Sequence, residues 1–190
     1  LRTAIVLGIV CYVAFLLLPL SLYPALAPAG RTSATLMVAL AAVSVPISLA
    51  SVGHWMEMLK LVEGRGAFAG WSPDVLQHAI AIADTRHGAL QRVATVFWGL
   101  WLIPLGVLGW RSAMLPRVIC VLLVLGGVGY PVAILGSLLS PAFGASPWPG
   151  WITRPATLGE LSTCAWLLVR PPRPRGDGAA ASPALSARLP

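Results

Sequence analysis

Six polar side chains stand out against a background that is almost wholly apolar: Glu160, Arg92, His87, His54, Glu57 and Gln91. His54 and Glu57 are spaced i, i+3, which puts them on one helical face. His87, Gln91 and Arg92 gather at the head of a second apolar run, and Glu160 sits inside the run that starts at Ile152. An ionisable group there costs several kcal/mol against lipid unless it meets a partner or water. The choices for Glu160 are a structural ion pair or cap, a ligand contact, or a proton site. Arg92 is its first expected partner, because a guanidinium stays charged and grips a carboxylate with two hydrogen bonds, and His54 or His87 is the second. The His54 and Glu57 pair could ligate a metal with His78 or His87. Without tighter spacing, however, these side chains read as solvated or hydrogen-bonded, so no metal, haem or other cofactor is expected.

These residues must be positioned by membrane helices. Of 190 residues, 57% are hydrophobic and 10% charged, against roughly a quarter charged in a soluble domain. The composition excludes a soluble globular protein and a wholly disordered chain. Cys11, Cys120 and Cys164 are odd in number and set in apolar runs, which excludes a disulfide-stapled module. A span needs about 20 apolar residues to cross roughly 30 Å of hydrocarbon. Five stretches qualify, approximately Thr3 to Tyr23, Ala34 to Met56, Val93 to Trp110, Met114 to Leu139 and Ile152 to Val169, and none alternates with period two. The fold expected is therefore all-α, a polytopic transmembrane bundle over residues 1–169 with five spans. Kinks are expected at Pro19, Pro46, Pro104 and Pro131, and packing stripes at Gly129, Ala133 and Ser137 and at Ser44 and Ser48. Arg2 and the Ala25-Leu26-Ala27 triplet imitate a secretory signal, but the apolar run is too long and Pro28 would follow the cut, so the segment reads as a span.

Orientation follows from arginine. Arg31, Arg111, Arg117, Arg170, Arg173 and Arg175 gather on one side, which the positive-inside rule makes cytoplasmic. Arg2, Arg154 and the long connection with Lys60, Arg65, Arg86 and Arg92, offset by Glu57, Glu63, Asp74 and Asp84, lie outside. All six candidate polar residues then fall on the outer side. In the long connection, Ser72 and Pro73 predict a helix start, and residues 72–92 form an amphipathic helix, at the interface or running on into the third span. Phe68 and Trp71 are expected at headgroup depth. The segment Ser146-Pro147-Trp148-Pro149-Gly150-Trp151 is read as an interfacial non-helical turn. Residues 170–190 lack apolar periodicity and are expected to be a disordered cytoplasmic tail. The basic residues are scattered singly, so no nucleic-acid partner is expected.

The turn Arg111-Ser112-Ala113-Met114-Leu115-Pro116-Arg117, with Val121-Leu122-Leu123, Gly126-Gly127, Gly129-Tyr130, Pro155, Gly159-Glu160 and Trp166-Leu167-Leu168-Val169, resembles the C-terminal half of a bacterial membrane family catalogued as domain of unknown function 4386. His87 with Phe97-Trp98-Gly99, and Leu22-Tyr23 with Arg31-Thr32, resemble its earlier spans. The resemblance covers roughly Ala4 to Val169. It implies a six-helix architecture whose first helix is absent here, in a bacterial inner membrane, and it implies no reaction. Ala113 and Cys120 stand where the family tends to have Gly, a departure expected to touch local packing alone.

The sequence carries no P-loop, nucleophile elbow, H-E-x-x-H or C-x-x-C motif. The expected function is accordingly non-enzymatic: a membrane bundle whose partners are the bilayer and a lipid, a small apolar ligand or another membrane protein, held at an outward polar site. The alternatives are a small transporter or proton-coupled channel using Glu160 and, more weakly, a haem- or metal-binding membrane protein.

Overall fold

The computed structural model describes residues 1–64 and 66–170, so the expectation for the tail lies outside the described residues. Six α-helices follow one another: α1 (Arg2–Leu26), α2 (Arg31–Glu63), α3 (Pro73–Arg111), α4 (Arg117–Leu139), the four-residue α5 (Pro141–Gly144) and α6 (Trp148–Val169). No strand occurs among the described residues, so the all-α expectation holds. The helices α1 to α4 are long and apolar enough to cross a membrane. The 22-residue α6 has the length, but Arg154, Glu160 and several hydroxyl residues dilute its hydropathy.

Two local expectations are decided. The amphipathic stretch at 72–92 takes the second of its two expected courses and runs on into the third span, since α3 is unbroken for 39 residues from Pro73, about 58 Å at 1.5 Å per residue. Ser72 is its N-cap, although its side chain makes no capping bond. The helix α2 is similarly long and ends on Gly64 in the left-handed region, φ 60°, a C-cap that needs no Cβ. The two helices therefore project together, with Phe68 edge-on to Trp71 at their tip. The register of Gly99 against Tyr130 sets the end of α4 level with about Leu90, which leaves about 25 Å of α3 beyond it. In the same way the segment at Ser146–Trp151 is helical from Trp148, since Pro147 caps α6 and Pro149 falls in its first turn, where no N–H is required.

Consecutive long helices pack antiparallel. Between α2 and α3 the pairs Gly30 with Leu108 and Ser51 with His87 keep one register along the whole contact. Ser44, Ser48 and Ser51 are fully buried and turn their hydroxyls back onto the α2 carbonyls of Ala41, Ser44 and Ser48. Their small size permits the close approach while no polar atom is left stranded.

The tightest packing surrounds α4. A Cβ on Gly127 would stand 2.6 Å from Ile103 Cγ1, and one on Gly106 would stand 2.8 Å from the Cys120 carbonyl oxygen, so glycine sets the α3–α4 separation. On the opposite side of α4, a Cβ on Gly126 would collide with the Ala156 backbone and one on Gly129 with the Ile152 carbonyl. Gly159 of α6 meets the backbone of Leu122 and Leu123 in return. The core within this frame is apolar: Leu22, Leu26, Met37, Trp101, Leu102, Leu105, Leu108 and Leu123.

The Arg111–Arg117 turn ties α3, α4 and α6 together. Trp166 Nε1 donates to the Met114 carbonyl at 3.0 Å, and Leu115 is buried against Gly109. Ala113 adopts φ 52°, the left-handed region that L-residues other than glycine avoid. The departure at this position thus touches backbone conformation rather than packing alone, which is a correction to the sequence reading. At Cys120 the side chain is buried and fits its site.

Two outcomes follow. Replacing Ala113 by Gly should raise stability by up to about 1 kcal/mol, the left-handed cost of ~1–2 kcal/mol less the added freedom of the unfolded chain, as measured by thermal unfolding in detergent. Replacing Gly126 by Leu should lower it by ~2 kcal/mol or more, because the Ala156 backbone cannot yield as a flexible side chain would.

Candidate functional site

The six candidate residues do not form one site. His54 Nδ1 and Glu57 Oε2 lie 3.3 Å apart on α2, the pairing that their spacing predicts. His87 of α3 stacks on Trp55 of α2, with ring centroids 4.3 Å apart and planes inclined by 20°, and its Nδ1 bonds the Ser51 carbonyl at 3.0 Å. Gln91 reaches the other way and donates from Nε2 to the Tyr12 hydroxyl of α1 at 2.6 Å, while its Oε1 is buried without a partner. His87 and Gln91 therefore fasten α3 to α2 and to α1, while the His54–Glu57 pair stays within α2. Among the described residues, no group of three His, Cys, Asp or Glu stands close enough to hold a metal. A second fastening joins Arg2 at the start of α1 to Glu63 at the end of α2.

Arg92 and Glu160 are apart. Arg92 is exposed on α3, and among the described residues the ion pairs are those of Arg2 with Glu63 and His54 with Glu57. The expected Glu160 pairing with Arg92, His54 or His87 is not formed. The reason is axial level. The α6 helix starts at Trp148 rather than Ile152, and its register on α4 sets Gly159 beside Leu122 and Leu123, near the start of α4. Glu160 thus belongs to the half of the bundle next to the Arg111–Arg117 turn, whereas Arg92 lies toward the opposite end.

What surrounds Glu160 is a cleft of about 440 Å³ between α1, α3, α4 and α6. Its walls come from Phe15, Leu18 and Leu22 of α1 and from Cys164, Leu167 and Leu168 of α6. Trp101, Leu102 and Leu105 of α3 and Leu123 of α4 line the remainder. The cleft exists because α6 is locked to α4 by glycine contacts while α1 packs on α2 and reaches α3 through Tyr12 and Phe15. Glu160 is partly buried and has no hydrogen-bond or cationic partner among the described residues, with Tyr130 within electrostatic reach. Thr163, the other polar wall residue, is satisfied, since its hydroxyl donates to the Gly159 carbonyl at 2.7 Å. One carboxylate without a partner among the described residues therefore stands on an otherwise aliphatic and aromatic surface.

An aromatic ladder leads from the polar fastening to this cleft. Tyr12 stacks on Trp98 at 6.1 Å, Phe15 stands edge-on to Trp98, and Phe15 meets Trp101 edge-on at 5.2 Å. The indole N–H groups of Trp98 and Trp101 are buried without acceptors. Sequence reasoning passed over these residues. Their signal was the matched i, i+3 spacing of Tyr12 with Phe15 and of Trp98 with Trp101, but only the fold shows that the two pairs face each other. Arginines stack on tryptophans at both ends of the bundle, Arg154 on Trp151, Arg117 on Trp110 and Arg170 on Trp166, an arrangement suited to the two membrane–water interfaces.

Fold and surface together define an all-α bundle consistent with insertion into a membrane. The family model described as "Domain of unknown function (DUF4386)" matches residues 1–170, and the chain belongs to that family. No curated protein and no solved structure matches the chain.

The separation of Arg92 from Glu160 has a measurable consequence. Arg92→Gln and Glu160→Gln should act independently on thermal unfolding, the double variant matching the sum of the singles within about 0.5 kcal/mol. Coupling well above that would mean the two side chains meet.

Proposed function

We propose that the protein is a non-enzymatic integral membrane protein that holds a lipid or small apolar ligand in the cleft between α1 and α6, with Glu160 as its polar contact. The observation that carries this reading is an unpartnered carboxylate on the wall of an otherwise apolar cleft. Its volume falls in the range of roughly 300–1,000 Å³ usual for small-molecule sites. The absence of the common catalytic motifs from the sequence favours binding over chemistry. The ligand site of this proposal is lateral and lies near the arginine-bearing turns. It differs from the outward site expected from the sequence, of whose residues His87 and Gln91 join helices.

In this reading all five long helices cross a bacterial inner membrane, with Arg31, Arg111, Arg117 and Arg170 on the cytoplasmic side together with the C-terminus. Reporter fusions at Ser146 and Gly176 should then report opposite sides. Cytoplasmic signals from both would overturn the topology.

Native mass spectrometry of the full chain from mild detergent tests the binding. A retained small ligand should be present on the wild type and lost from Cys164→Trp, which fills the cleft from its α6 wall. Identical spectra from both, with no adduct, would count against a ligand-binding role. Proton flux into liposomes that Glu160→Gln abolishes would favour the transporter reading, which rests on the same side chain.

A further inference from the structure

Resting on the binding function proposed above, we infer that the cleft takes a lipophilic amine: a single-chain amphiphile whose protonated nitrogen meets Glu160 and whose hydrocarbon body lies along the α1–α6 walls. Charge complementarity selects the head. The Glu160 carboxylate has no cation and no hydrogen-bond donor among the described residues. A charged group in a low-dielectric surrounding requires a counter-charge or donors, or else takes up a proton. Of the other polar wall groups, Thr163 has spent its hydroxyl on the Gly159 carbonyl, and the Trp101 indole N–H is buried and makes no bond to the carboxylate. A ligand that supplies N–H donors and a positive charge satisfies this carboxylate, and one with an anionic head is repelled.

The walls select the body. Leu18, Leu22, Leu102, Leu105, Leu123, Leu167 and Leu168 provide an aliphatic channel, and Phe15 and Trp101 border it. Aromatic rings attract ammonium groups as well as packing against hydrocarbon. Position and size exclude a whole phospholipid. Glu160 lies mid-helix, away from the Trp151–Arg154 and Trp166–Arg170 pairs that mark the helix ends, so a headgroup anchored at either interface does not reach it. A cleft of about 440 Å³ holds one slender chain rather than two. Access is lateral, because Leu18, Cys164 and Leu168 are exposed on the outer surface of the bundle, where an amine dissolved in the membrane would enter.

The test uses the full chain in nanodiscs of zwitterionic phosphatidylcholine, with terminally brominated dodecylamine and its isosteric partner, brominated dodecanol, as probes. Saturable quenching of tryptophan fluorescence reads occupancy. The amine should bind about tenfold or more tightly than the alcohol, the ratio expected of a charge-assisted hydrogen bond. Glu160→Gln should abolish that preference, and Cys164→Trp should remove binding of both probes. Near-ultraviolet circular dichroism reports whether each variant is folded. Should Glu160→Gln fail to fold, Glu160→Asp serves in its place, and it should weaken the amine while leaving the alcohol unchanged. Equal binding of amine and alcohol, with both lost in Cys164→Trp, would overturn the amine assignment and leave the apolar binding function standing. No saturable quenching by either probe would overturn both.

Discussion

The structure depends on how closely α4 can approach its two neighbours. Lipid tails are as apolar as leucine side chains, so burial of hydrocarbon does little to hold membrane helices together, and contact area at short range must do it instead. Gly126 and Gly129 open one face of α4 to α6, while Gly127 opens another to α3, and Gly106 and Gly159 answer from the partner helices. Three glycines within four residues of α4 would weaken a soluble helix. Here their cost is offset by dispersion contacts between backbones that no larger residue would allow. The α2–α3 contact solves the same problem with serine, whose hydroxyl returns to its own helix and leaves the contacting surface smooth.

Because close packing is concentrated along α2–α3–α4–α6, the first helix is left at the margin. It is the least buried of the four apolar helices, and it is held by the Arg2–Glu63 pair, the Gln91–Tyr12 hydrogen bond and the aromatic ladder. Nothing comparable joins it to α6, and the cleft is the space that results. The placement of the cleft is thus a consequence of which helices carry small residues, with Glu160 projecting from the one helix whose position α4 dictates.

The helices were legible in the sequence, and the level of one helix against another was not. Apolar runs and arginine punctuation gave the long elements, and Ser72-Pro73 gave the start of α3 to the residue. The i, i+3 pairing of His54 with Glu57 also survives, since it depends on a single helix. The pairing of Glu160 with Arg92 required the axial offset of two helices that do not touch. Taking Ile152 for the start of α6, because Pro147 and Pro149 read as helix breakers, set the charge in the wrong half. Prolines in a first turn break nothing. The length of α3 was half legible: periodicity continued through Arg92, but an amphipathic segment feeding a hydrophobic one has the same pattern whether it lies flat or continues straight.

The same register explains why Glu160 meets no cation among the described residues. Among the described residues the arginines on its side, Arg31, Arg111, Arg117 and Arg170, sit at helix ends, and Arg117 and Arg170 are engaged with Trp110 and Trp166. A guanidinium drawn from there toward mid-helix would leave both its ring and the water beyond it, and long cationic side chains favour the opposite movement, toward the interface. Tyr130, the polar neighbour on α4, carries no charge to offset a carboxylate. The fold therefore holds Glu160 away from the cations of the described residues, on a cleft that opens at the outer surface of the bundle. In the proposed reading, a counter-ion for this residue comes from the membrane phase, as a proton or as a cation greasy enough to dissolve there. The aliphatic walls continue from the carboxylate along α1 and α6, and they give such a cation a body-length surface that a proton would not use.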